Sequence, residues 1–201
     1  VIVCLALWAL SYRILMGGSL RQDTTNDPAF SLRARRFAPL FMALFALTIT
    51  LVAFDWISSL EPQWYSDVFG VSLFAGAFLS GLAAVSVAAV HLMERGRLPG
   101  VRSDHLYNLG GLIFAWTVFW SYIGFAQYML MWYGNMPEEI FWYKQRIQGP
   151  WLGVVALLAV IHFLVPFFAL IPRETKGDPR RLRQVAFLML GERIPENRET
   201  T

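Results

Sequence analysis

This sequence predicts an all-α, polytopic transmembrane helical bundle, and three observations carry that prediction. The 201 residues are 56% hydrophobic and only 15% charged, with a mean hydropathy of +0.47, whereas about a quarter of the residues of an ordinary soluble domain carry charge. Apolar runs cover residues 37–54, 68–93, 106–132 and 151–171, with a shorter one over 1–16. Basic-rich and basic-poor connecting segments alternate between those runs.

Each of the four long runs reaches roughly 18 residues or more, enough at about 1.5 Å per residue to cross a hydrocarbon layer of about 30 Å. Helices are the expected spanning form, because barrel strands would alternate in segments of about ten residues. The run over 1–16 starts without methionine and lacks the basic start and small-residue cleavage site of a signal peptide. It reads as the tail of a helix, so the expectation is four complete spans and one partial span within a fragment of a longer protein. Residues 1–172 are then the bundle, and 173–201 a polar cytoplasmic tail whose short apolar run, 185–190, is an interfacial turn or the start of another helix.

Charge gives the orientation. Residues 13–36 hold five arginines, 55–67 no basic residue, 95–102 three arginines, 133–149 one lysine and one arginine, and 173–183 five basic residues. Positive charge collects on the cytoplasmic side of membrane proteins, which places 13–36, 94–104 and 173–183 inside and 55–67 and 133–149 outside. The chain is thus expected to be multi-pass in a membrane. The arginines need no nucleic acid to explain them. Trp56, Trp64, Tyr65, Trp132, Tyr133, Trp142, Tyr143 and Trp151 gather at the outer boundary as an aromatic belt.

Within the spans, Gly76, Ser80, Ala84 and Ala88 recur at four-residue steps, a stripe over which another helix can approach closely. Residues 106–132 carry Thr117, Ser121 and Tyr128 on one stripe through Gly124, flanked by Tyr122 and Gln127. Such hydroxyls and amides in hydrocarbon either bond between helices or line a path for water, protons or a quinone headgroup. His162 lies four residues before Pro166, whose ring removes a backbone donor and tends to kink the helix; a histidine there can shuttle protons or simply pack. Asp55, Glu61 and Asp67 crowd the basic-free outer loop, either as interfacial groups or as the mouth of a proton exit.

Redox centres are not expected in this chain. Its single cysteine, Cys4, and the absence of C-x-x-C leave no ligand set for an iron–sulfur cluster or covalent haem. His91 and His105 lie at the cytoplasmic edge, far in depth from His162, which disfavours haem b. No inverted repeat of the kind a secondary transporter carries is apparent.

The blocks "FDWISSLEPQWYSDVFGVSLFAGAF" and "DHLYNLGGLIFAWTVFWSYIGFAQYMLMWYGNMPEEIFWYKQR", with the "GPW" after them, resemble the F-subunit family of bacterial alternative complex III, a quinol:electron-acceptor oxidoreductase, over roughly residues 32–172. The resemblance implies membership of the polysulfide-reductase-like (NrfD-like) membrane subunits. It further implies a paralogous quinol-oxidising membrane partner, iron–sulfur and haem c partner subunits on the outer side, and outward proton release. Quinone binding, proton conduction and scaffolding are all roles it allows. The family pattern has histidine where this chain has Gln63 and lysine where it has Gly111, and it runs to about twice this length. Asp55, Glu61, Asp67, Ser121, Tyr122, Gln127, Tyr128 and His162 are the candidate proton-path or quinone-site residues.

Overall fold

A computed structural model describes residues 1–135 and 137–191. All regular structure among them is helical, and five helical segments are long and apolar enough to cross a membrane. The protein is therefore an all-α polytopic helical bundle. The chain divides into two compact units, Val1–Phe74 and the part from Ala75 onward, and the division falls inside a helix.

In the first unit, α1 (Ile2–Thr25) and α2 (Ala29–Val52) form an antiparallel hairpin. Trp8 Nε1 donates to Thr48 Oγ1 at 2.8 Å, and Ser31 Oγ donates to Gln22 Oε1 at 2.7 Å at the other end. The turn is made by Asn26, whose left-handed backbone (φ 52°) lets its N–H close on Gln22 O. The segment 13–36, expected as a connection, is thus almost entirely helix. Helix α1, expected as a partial span, has 24 residues. Helix α2 runs on through a π turn, Ala53–Ile57, and a 3-10 turn, Ser58–Leu60. Gly70 allows the start of α3 (Phe69–Glu94) to press on α2, since a Cβ there would stand 2.4 Å from Thr50 Cγ2.

The second unit holds the rest of α3, α4 (Ser103–Gly134), α5 (Pro137–Arg146), α6 (Pro150–Ala159), a π turn (Val160–Leu164), α7 (Val165–Leu170), α8 (Arg173–Gly177) and α9 (Pro179–Leu190). Helix α6, the π turn and α7 make one continuous span, Pro150–Leu170. Its core joins Leu79, Ala83 and Val90 of α3, Leu106 and Ile113 of α4, and Leu170 of α7 to Leu182, Val185, Ala186 and Met189 of α9.

That core revises the reading of 173–201 as a polar tail. Helix α9 starts where Asp178 Oδ1 accepts from Arg180 N–H beside Pro179, and stops at Gly191 (φ 71°). Between those caps its buried residues fall at 182, 185, 186 and 189, the i, i+3, i+4, i+7 spacing of one helix face. That face is buried, and Arg183 on the other side pairs with Glu94. Helix α8 docks on α4 over Gly110, where a Cβ would meet the Lys176 backbone at 3.1 Å. Residues 192–201 of the expected tail lie outside the described residues.

Much apolar surface remains uncovered: all ten residues of α6 are exposed. In water so broad an apolar face would drive association; lipid or another membrane helix covers it without penalty. Trp56, Trp132, Tyr133 and Trp151 are exposed at helix ends, the depth at which amphipathic rings sit in a bilayer.

Candidate functional site

Pro166 organises the site. Its nitrogen carries no hydrogen, so the carbonyl of His162, four residues earlier, loses its α-helical partner. The helix responds by widening into the π turn Val160–Leu164 around His162, a distortion that recurs at functional positions. Pro166 is buried, and Phe167 beyond it stacks on Phe114 at 5.4 Å, holding α7 against α4.

The bulge turns His162 toward a cavity of about 180 Å³ within the second unit. Gly76, Leu79 and Ser80 of α3, Trp120 of α4, Leu158 of α6 and Met189 of α9 complete its wall. The His162 ring lies 5.9 Å from the Trp120 ring, tilted 43°. Gly76 lets that indole lie against α3: a Cβ there would come within 3.4 Å of Trp120 Nε1. His162 Nδ1 is buried and has no hydrogen-bond partner. An orphaned ring nitrogen of this kind costs about 1–3 kcal/mol; the cavity wall is mostly apolar, with Ser80, the Trp120 indole N–H and the His162 ring as its polar groups.

Two further buried polar atoms of the second unit lack partners, Thr117 Oγ1 and Gln127 Nε2, both on α4. Thr117 is fully enclosed and Gln127 nearly so. The other hydroxyls of the expected stripe diverge. Ser121 is half-buried and Tyr122 exposed. Tyr128 packs edge-on against Tyr143 at 5.2 Å and beside Trp132 at 5.6 Å. Burial pushes the Tyr143 hydroxyl up to about 12, against a smaller lowering by the Arg146 guanidinium, with Tyr128 adding to the rise. Of the eight candidate residues only His162 lines the cavity.

The carboxylates belong to the first unit. Asp55 sits in the π turn after α2 with its side chain 60% exposed. Asp67 is exposed and Glu61 half-buried. The backbone of Glu61 shapes the loop, its N–H donating to Ser58 O and its carbonyl accepting from Trp64 N–H, each at 3.0 Å. None of the three is sealed from solvent.

The small-residue stripe also lies differently from its expected role in the bundle. The buried line of α3 in the second unit runs through Ala75, Leu79, Ala83, Ser86 and Val90. Ser80, Ala84 and Ala88 are exposed, and Gly76 lies against Trp120. Which face of an apolar helix is covered depends on its partners, and composition does not reveal them. The cation–π contacts of α8 were not anticipated either: Arg173 over Tyr107 at 5.2 Å and Lys176 over Phe114 at 4.7 Å. His105 serves as a helix cap, its Nδ1 accepting from Arg102 N–H at 3.1 Å.

No group of three or more histidine, cysteine or carboxylate side chains able to hold a metal occurs among the described residues. The chain matches no family model and no curated protein.

Proposed function

We propose that this chain is an integral membrane subunit of a respiratory quinol:electron-acceptor oxidoreductase of the alternative complex III type, in a bacterial inner membrane, and that it serves proton transfer. The observation that carries the proton role is His162: a titratable ring on a π turn in the spanning region, lining a cavity while its Nδ1 is buried and unpartnered. Imidazole can accept a proton at one nitrogen and release it from the other, so a histidine flanked by water on one side is a relay element. Ser80 supplies a second polar group on the cavity wall. Thr117 and Gln127 extend the supply of unpaired polar atoms along α4, and Asp55, Glu61 and Asp67 offer acceptors in the outer loop.

Cavity size argues against enclosure of a whole quinone. At about 180 Å³ the space holds several waters but falls below the roughly 300 Å³ at which small-molecule pockets begin. The space does not enclose a whole quinone with its tail, and quinol oxidation is assigned to the paralogous partner. The iron–sulfur and haem c centres that the complex requires reside in the outer partner subunits. Trp120 beside His162 is the one feature that favours a quinone site here, as an aromatic wall next to a titratable group.

Isolation from native membranes by a tag on this chain tests the assignment. Co-purification of a quinol-oxidising membrane subunit together with haem c and iron–sulfur subunits is expected. Isolation of the chain as a homo-oligomer free of redox proteins contradicts it.

A further inference from the structure

The α1–α2 hairpin carries a second cavity, of about 420 Å³, at the end where its arginines collect. Arg13 and Arg21 of α1 and Arg33 of α2 line it, together with Phe30, Phe37 and Gly17. No acidic residue lines it, and none of the three guanidiniums forms an ion pair among the described residues. Arg33 lies over the Phe30 ring at 5.9 Å.

Position matters as much as charge. Arg13 and Arg21 are eight residues apart, about 12 Å along a helix, so the cations descend from the polar end of the hairpin toward its apolar part. Arg13 shares its wall with Phe37, where the apolar run of α2 starts. A guanidinium at that depth is costly unless it reaches the interface or meets an anion. Gly17 opens the groove: a Cβ there would meet nothing within 4 Å.

We infer that this groove is a binding site for the headgroup of an anionic phospholipid of the cytoplasmic leaflet. The three guanidiniums take the phosphate, to which their planar donor pairs are matched, and Phe30 and Phe37 receive the glycerol and upper acyl segments. Basic pockets between spanning helices on the cytoplasmic side hold such headgroups. The site depends on the transmembrane reading and is independent of the redox assembly.

The test is native mass spectrometry of the full chain, released from nanodiscs containing phosphatidylglycerol and phosphatidylcholine in equal amounts. Each arginine near an anionic surface is worth about fivefold, so the triple variant Arg13→Gln, Arg21→Gln, Arg33→Gln should lose at least about tenfold in phosphatidylglycerol retention. Arg35→Gln with Arg36→Gln removes charge at the same surface but outside the groove, and should lose distinctly less than the triple variant. Gly17→Leu fills the groove without altering charge and should also reduce retention, which keeps the site testable should the triple variant fail to insert. Equal losses in the Arg35/Arg36 pair, equal retention of phosphatidylcholine, or unchanged retention in Gly17→Leu would overturn the site. Displacement of the lipid by inorganic phosphate would overturn its assignment to lipid.

Discussion

His162 and Trp120 face each other across 5.9 Å at a tilt of 43°, one on a π turn and the other on an unbroken helix. The contact joins the one irregular backbone segment of the α6–α7 span to α4, and it leaves the imidazole Nδ1 without a partner. A nitrogen buried in that state contributes nothing favourable to folding. His162→Phe should therefore change stability by less than about 1 kcal/mol, or raise it, because no satisfied hydrogen bond is removed. Denaturation of the detergent-solubilised protein measures this, and a loss above about 2 kcal/mol would mean that Nδ1 is hydrogen-bonded.

Adjacent glycines on α4 should behave oppositely. A Cβ at Gly110 meets the Lys176 backbone at 3.1 Å, whereas one at Gly111 meets nothing within 4 Å. Gly110→Ala should destabilise by about 1–3 kcal/mol through overpacking. Gly111→Ala should be neutral or stabilising by up to about 1 kcal/mol through helix propensity. Thermal unfolding of both variants checks the pair, and equal behaviour would remove α8 from its place on α4.

Helix α9 offers a contrast between core and surface. Leu182 is fully buried in the core, while Arg183 and Glu94 pair in a partly exposed position. Leu182→Ala should cost about 2–5 kcal/mol. Glu94→Gln should cost less than about 1 kcal/mol, as expected for a pair open to solvent. A small effect of Leu182→Ala would return this segment to the status of a tail.

Tyr143 links stability to alkaline pH. Its folded value is raised from 10.0 to about 12, chiefly by burial, so the folded state holds its phenolic proton more tightly than the unfolded chain. The resulting stabilisation is fully present below pH 10.0 and is lost as pH rises through about 12. Tyr143→Phe should flatten stability across that interval, and phenolate absorbance should lose its highest-pH component.

The spans were legible because length and hydropathy are local properties of the sequence. The bulge around His162 was legible because proline removes one identifiable donor, which Pro166 does. Of helix α9 only a helix start over 185–190 was legible, as one of two alternatives; its burial was not, although Leu182, Val185, Ala186 and Met189 carry the periodicity of a buried face, because the surrounding arginines and short length outweighed it. The stripe Gly76, Ser80, Ala84 and Ala88 suggested close packing, but the bundle covers the line through Ala75, Leu79 and Ala83. On a helix apolar all round, the covered face is decided by neighbours. Likewise the polar residues of α4 share a stripe in sequence, yet only the fold separates enclosed Thr117 and Gln127 from exposed Tyr122.

Proton transfer through His162 is tested most directly in the intact complex, with the full-length subunit carrying His162→Phe, reconstituted into sealed vesicles. Quinol-driven electron transfer and proton release are recorded together. Retained electron transfer with proton release reduced to the protons that quinol oxidation itself frees is the expected result. Proton release at the wild-type rate and stoichiometry would contradict the relay, and loss of both activities in a fully assembled complex would place a quinone site beside Trp120 instead.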